Sequence, residues 1–188
     1  MEGMWPRLCP PASIDNSIRM SAVFQTPRGV TLVGGGAVAP SLLRLALAHA
    51  PDLIAADGGA DRLMALGRLP EAVIGDLDSI SPRARAALGA ERLHAIPDQL
   101  TTDFDKALRS LDAPFTLALG FTGARLDHTL AAFNTLARHP GRACILLAEG
   151  DLCFLLPPRL SLAVAPGTRV SLFPLSPVRA RSRGLEWP

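Results

Sequence analysis

Asp76-Leu77-Asp78 puts two carboxylates two residues apart. In extended backbone, side chains at that spacing point the same way. Like charges so close resist joint ionisation unless a cation joins them. A ligand set made only of oxygens favours Mg²⁺ held together with substrate phosphates. The same residues also read as a solvated turn, with Asp78-Ser79 leading into a helix cap. Thr101-Thr102-Asp103-Phe104-Asp105-Lys106 forms another cluster. There Asp103 would add a third carboxylate to a metal site, and Lys106 would reach a phosphate. Its plainer reading is a helix start, because Thr102 with Asp105 resembles a capping box and early acids suit the helix dipole.

Gly120 to His128 is a glycine-containing loop running into a helix, and its amides could cradle a phosphate. Arg125, Asp127 and His128 lie within it. An ordinary loop with a charged first helical turn has the same pattern. Gly34-Gly35-Gly36 also fits the dinucleotide fingerprint, as Gly34-x-Gly36-x-x-Ala39, with Asp57 where a ribose-binding acid belongs. That alternative leaves Asp76, Asp78, Asp103 and Lys106 without a role. His49, His94 and His139 read as surface histidines. Taken together, Asp57, Asp76, Asp78, Asp103, Asp127, Lys106 and Arg125 supply what phosphoryl chemistry needs: acids to hold Mg²⁺, and cations to hold phosphate.

These groups need a scaffold that gathers them, and the hydrophobic pattern predicts one. Short apolar runs at Val30–Val33, Leu53–Ala56, Ala72–Ile74, Arg92–Ile96, Phe115–Leu119 and Ala143–Ala148 read as strands. Helical stretches alternate with them. Pro40–Ala50 carries Leu42, Leu45, Ala46 and His49 at helical spacing. Arg125–His139 would bury Leu126, Leu130, Phe133 and Ala137. Ser81-Pro82 reads as an N-cap followed by the first helical residue. This order predicts an α/β fold with a mostly parallel, Rossmann-like sheet over residues 27–149. Ligands bind beyond the carboxyl ends of the strands in such sheets, where these clusters fall. Residues 1–26 read as a poorly ordered extension, with Met20 a candidate start. Residues 150–188 read as a small all-β, sandwich-type domain, with strands at Leu152–Leu156, Leu160–Val164 and Thr168–Phe173, and as cut short at Pro188.

Composition narrows the class. Of 188 residues, 48% are hydrophobic and 19% charged, which excludes low-hydrophobicity disorder. A net charge of +2 gives no basis for nucleic-acid or membrane-surface partners. Pro6, Pro10 and Pro11 interrupt the start of the chain, which lacks the apolar stretch of a secretory signal. Cys9, Cys144 and Cys153 read as small buried hydrophobes in a reduced, cytoplasmic protein. Lys106 is the only lysine.

Read in order, the segments Leu32–Gly36, Ala56–Leu63, Ile74–Ile80, Asp98-Gln99, Thr102–Leu108 and Gly123–Leu130 resemble those of the thiamine pyrophosphokinases. The resemblance covers about Thr31 to Phe173. It implies an α/β catalytic domain followed by a thiamine-binding β-sandwich, in a homodimer with active sites between subunits. The implied reaction moves a pyrophosphoryl group from ATP to the thiamine hydroxyl and releases AMP. By the same resemblance, Asp76, Asp78 and Asp103 belong to the Mg²⁺ and phosphate site. Gln99, Thr102, Lys106, Gly123, Arg125, Asp127 and His128 belong to the nucleotide surround, and Asp57 sits at the same catalytic edge. Alternatives of neighbouring type are a pyrophosphokinase acting on another alcohol, such as a pterin, and a non-catalytic nucleotide-binding protein. Two departures from the family pattern are Ala124, where a second glycine is usual, and the end of the chain at Pro188, ahead of a Ser- and Asn-containing segment that helps bind thiamine.

Overall fold

The computed structural model describes residues 22–187, apart from residue 124. In chain order the elements are β1 (Phe24–Gln25), β2 (Val30–Val33), α1 (Pro40–His49), β3 (Asp52–Ala56), α2 (Gly59–Ala65), β4 (Ala72–Gly75) and α3 (Pro82–Leu88). After a 3₁₀ turn (Ala90–Arg92) come β5 (Leu93–Ala95), α4 (Asp103–Ser110), β6 (Leu111–Asp112), β7 (Thr116–Leu119), α5 (Leu126–Arg138), β8 (Cys144–Ala148) and β9 (Asp151–Phe154).

The main sheet runs β5-β4-β3-β2-β7-β8-β9. Every neighbouring pair is parallel except β8 with β9. Strands β2, β3, β4 and β7 are buried at every residue, as a parallel sheet covered on both faces requires. Alternation along the strands divides the core. Leu32, Ile54, Ile74 and Ala118 pack with Phe104, Ala107 and Leu108 of α4 and with Ala132 and Leu136 of α5. Val33, Ala55 and Val73 face the other way and pack with Leu43 of α1, Leu63 of α2, and Ala84 and Leu88 of α3.

Strand order reverses between β2 and β7. At that switch the Gly34 N–H donates to the Leu119 carbonyl (2.8 Å), and the Gly36 N–H donates to the Gly120 carbonyl (3.0 Å). A Cβ on Gly34 or Gly36 would lie 2.8 or 2.6 Å from the Gly120 oxygen, so the two loops can touch only as glycines.

Several sequence expectations need correction. α1 buries Leu43 and Ala46 and leaves Leu45 exposed. α5 buries Ala132, Thr135 and Leu136, while Leu126 and Leu130 are 72% and 56% exposed and Ala137 is exposed. In both helices apolar residues occur on more than one face, so periodicity alone does not choose between them. In each helix the buried face pairs a leucine with an alanine, Leu43 with Ala46 and Leu136 with Ala132. Cys144 is buried, but Cys153 is exposed, and both are free thiols. Phe24–Gln25 is not part of a loose extension: it pairs in parallel with Leu111–Asp112. The remainder of that extension through residue 21, with Cys9 and Met20, lies outside the described residues, as does Ala124.

Leu156 onward forms a separate unit. β9, assigned from sequence to the second domain, belongs to the first, because the turn at Glu149-Gly150 folds it back on β8. The strands expected at Leu160–Val164 and Thr168–Phe173 do not form. A strand exists only through a ladder partner, and these segments have none among the described residues. Leu160, Leu162, Val164, Leu172 and Phe173 are exposed. No described helix is long and apolar enough to cross a membrane.

Candidate active site

The carboxyl ends of β3 and β4 place Asp57, Asp76 and Asp78 together. One carboxylate oxygen from each lies within 4.8 Å of the others. Two backbone devices make this possible. Asp57 and Leu77 are the non-glycine residues with positive φ among the described residues, at 41° and 65°. Such conformations cost energy and persist only where the surroundings impose them. At Asp57 the N–H donates to the Ile74 carbonyl (3.1 Å) and the carbonyl accepts from the Ala60 N–H (3.1 Å). At Leu77 the side chain turns into the core beside Ile80 and Ala84. Asp76 and Asp78 therefore stay on the rim, and the Asp76 Oδ1 accepts from the Asp78 N–H (3.4 Å). Arg85 donates to the Leu77 carbonyl and holds the turn (2.7 Å).

α4 brings in the next pair. Its N-cap Thr102 accepts from the Asp105 N–H (3.2 Å). Asp103 and Lys106, three residues apart, then share one helix face. Lys106 Nζ donates to Asp76 Oδ2 (2.7 Å) and to Asp103 Oδ1 (3.1 Å), with a side chain only 2% exposed. Gln99 Nε2 also reaches Asp76 Oδ2 (3.4 Å). Burial disfavours charge on Lys106, but Asp76 and Asp103 outweigh it and raise its pKa above the ordinary lysine value. The same lysine holds the Asp76 carboxyl below its usual range. Asp57 moves the opposite way: burial pushes it up, against hydrogen bonds from Ser79. Its Oδ2 accepts from the Ser79 N–H (3.2 Å), while its Oδ1 is buried and has no hydrogen-bond partner. A buried, unpaired carboxylate oxygen among acids is what a cation would satisfy. The donor set is all oxygen and fits a hard ion such as Mg²⁺.

The acids expected from sequence to share a metal were Asp76, Asp78 and Asp103. The three gathered here are Asp57, Asp76 and Asp78, and Asp103 joins them through Lys106. Asp127 and Arg125 form a separate exposed pair (2.6 Å) at the start of α5, each stabilising the charge of the other. His128 is exposed beside them, and Gly123, at φ 120°, donates its N–H to Thr129 Oγ1 (3.2 Å).

Sequence reasoning missed three contributors. A Cβ on Gly75 would lie 2.8 Å from the Asp57 Cβ and 3.3 Å from Asp103 Oδ1, so β4 must end in glycine for the acids to converge. A glycine closing a strand is itself a sign of close approach. Asp61 accepts from the Ser81 N–H (2.9 Å) and from its hydroxyl, tying α2 to the cap of α3. His139 contacts buried Asp105 (2.9 Å) rather than standing alone on the surface.

An α/β protein with an acid–lysine cluster at the carboxyl edge of its sheet is the class these features define. A family model described as thiamin pyrophosphokinase, catalytic domain, matches residues 43–146. The chain belongs to the thiamin pyrophosphokinase family. Thiamine pyrophosphokinase 1 of Arabidopsis thaliana is 28% identical over 182 residues, covering 79% of this chain and 68% of that protein. Thiamine pyrophosphokinase 3 of Oryza sativa subsp. japonica is 32% identical over 100 residues, covering 47% of this chain and 38% of that protein. The solved thiamine pyrophosphokinase from Bacillus subtilis aligns with a TM-score of 0.52 at 26% identity, over 64% of this chain and 60% of that one. The chain thus spans less than two thirds of the rice protein and of the Bacillus structure.

Proposed function

We propose that this chain carries the catalytic domain of a thiamine pyrophosphokinase, which moves a pyrophosphoryl group from ATP to the thiamine hydroxyl. The observation that carries the reading is the convergence of Asp57, Asp76 and Asp78 beside the buried Lys106–Asp76 pair. Asp57, Asp76 and Asp78 would hold Mg²⁺, which when bound neutralises phosphate charge. Lys106 and Asp103 orient that acid set, and Gln99 and Thr102 border it. The Gly123 loop, Arg125, Asp127 and His128 would meet the nucleotide, where exposed polar groups can close on phosphate.

In the reaction the thiamine hydroxyl oxygen bonds to the β-phosphorus. The bond from that phosphorus to the α–β bridging oxygen breaks, and AMP leaves with that oxygen. The hydroxyl proton passes to a carboxylate, which we assign to Asp78. Asp78 is exposed on the rim, whereas both Asp76 oxygens already accept hydrogen bonds. Most of the rate then comes from positioning and preorganised charge.

The proposal extends to the whole protein. The sheet is of the doubly wound, Rossmann-like type, and the separate unit from Leu156 onward contributes to binding thiamine. The protein works in the cytoplasm as a homodimer with sites between subunits. Free Cys144 and Cys153 agree with a reducing compartment. Incubation with ATP, Mg²⁺ and thiamine, followed by separation of the nucleotides, tests the reading. Thiamine-dependent AMP with matching thiamine diphosphate is expected. AMP formation that ignores thiamine, or none at all, overturns it.

A further inference from the structure

α4 carries both Asp103 and Lys106, so the placement of Lys106 depends on how α4 is seated. The helix has eight residues, too few to be stable alone. Adjacent helical residues leave the axis about 100° apart. Lys106 goes to Asp76 at the sheet edge. Asp105 goes instead to the end of α5, where its Oδ1 meets His139 Nε2 (2.9 Å) and Arg138 Nη1 (3.2 Å). Its Oδ2 faces Arg109 Nη1 on α4 itself (3.6 Å), and Arg109 also reaches Asp98 (2.9 Å). Beyond α5, Arg142 donates to the carbonyls of Leu111 and Arg109. Arg138, His139 and Arg142 therefore clasp α4 on the side away from Lys106.

Asp105 is 1% exposed. A buried ion cluster is a poor source of net stability, since apolar residues of similar volume often do as well. What it supplies is one geometry in place of several. None of the proposed chemistry touches Asp105, so the site itself does not account for its burial.

We infer that Asp105 is a positioning residue that, held by Arg138 and His139, fixes the rotation of α4 about its axis and so seats Lys106 on Asp76. The inference rests on the reading of Lys106 and Asp76 as part of the phosphate-handling site. Because Lys106 is the only lysine, the full chain labelled with ¹³C at lysine Cε gives one lysine side-chain signal. The comparison is between the parent chain, Asp105→Asn, His139→Leu and His139→Gln. Glutamine can donate from its Nε2 much as histidine does, and leucine cannot.

Asp105→Asn and His139→Leu are expected to move the Lys106 signal toward that of an exposed, mobile lysine. They are expected to lower kcat about tenfold while KM for Mg-ATP stays near the parent value, as a small misplacement of a positioned group does. His139→Gln is expected to keep both the signal and kcat. An unchanged Lys106 signal in a His139→Leu chain that melts like the parent overturns the inference. Equal loss in His139→Gln and His139→Leu overturns it too. If Asp105→Asn does not fold, the His139 pair still decides. The lysine signal needs no turnover, so failure of the pyrophosphokinase reading leaves this test intact.

Discussion

At the ends of β3 and β4, Asp57 and Lys106 are buried, Asp76 accepts on both oxygens, and two residues hold positive φ to keep the acids in place. Past the end of β7 the groups assigned to the same reaction are arranged differently. Arg125 and Asp127 are both exposed and bonded mainly to each other, with Leu126 and Leu130 exposed beside them. The first region has its geometry set before any ligand arrives, which is how preorganised charge lowers a barrier. The second holds its groups exposed at the start of α5, where side-chain freedom is lost on binding and that cost is subtracted from affinity. On the proposed reading, one half of the edge serves turnover and the other capture.

Asp76→Asn should show the largest effect. It removes the main partner of a buried ammonium, and turnover should fall by about 10²–10³-fold, on the scale of losing one preorganised electrostatic group. Mg²⁺ binding measured by calorimetry should weaken with it. Near-parent turnover would dissolve the contrast between the two halves.

Gly75→Ala attacks the same half by shape alone. The added methyl meets the Asp57 Cβ, and overpacking of this kind costs about 1–3 kcal/mol. Chemical denaturation should report that loss, together with weaker Mg²⁺ binding. Unaltered stability would show that the acids converge with room to spare.

Arg125→Ala probes the capture half. KM for ATP should rise several-fold, by about tenfold at most, while the melting temperature stays put. A fall in kcat with unchanged KM would place Arg125 in the turnover half instead.

The smallest effect expected is on acid stability. Hydrogen bonds from Thr101, the Leu100 N–H and Arg109 hold the Asp98 carboxyl down to about 2, from an ordinary 3.8. A depressed carboxyl favours the folded state above its ordinary value. That contribution drains away as pH falls from 3.8 toward about 2. Asp98→Asn should therefore flatten the melting temperature against pH in that window. A profile that stays parallel to the parent's would assign the acid response elsewhere, with Asp76 the next candidate because it too is depressed.

Much of this molecule was legible in its residues, for identifiable reasons. The strands were readable because four of the short apolar runs end at Gly34, Asp57, Gly75 or Gly120, which break the run where the ligand edge begins. Asp76, Asp78 and Lys106 were readable by charge and rarity. Asp57 was readable as an acid of the same edge, but not as the one that stands with Asp76 and Asp78 in place of Asp103, because that depends on a positive φ that an aspartate does not advertise. Helix faces failed where apolar residues circle the helix: Leu42, Leu43, Leu45 and Leu47 in α1 permit several stripes. Asp105 was read as half of a capping box. Thr102 does cap the helix, but the Asp105 carboxylate goes to α5, a contact between residues far apart in sequence.

The sheet order also bears on how the chain reaches its native state. β2 lies at the centre, and its second edge is completed only when Val30 pairs with Thr116. During synthesis, β2, β3 and β4 emerge with that edge open, and the loops of Gly34 and Gly120 cannot meet until β7 arrives. Closure over so long a stretch of chain is slow, and an unpaired apolar strand invites aggregation meanwhile. Nucleotide competence should therefore appear in a single late step, and nascent chains released before β7 should be retained by chaperones.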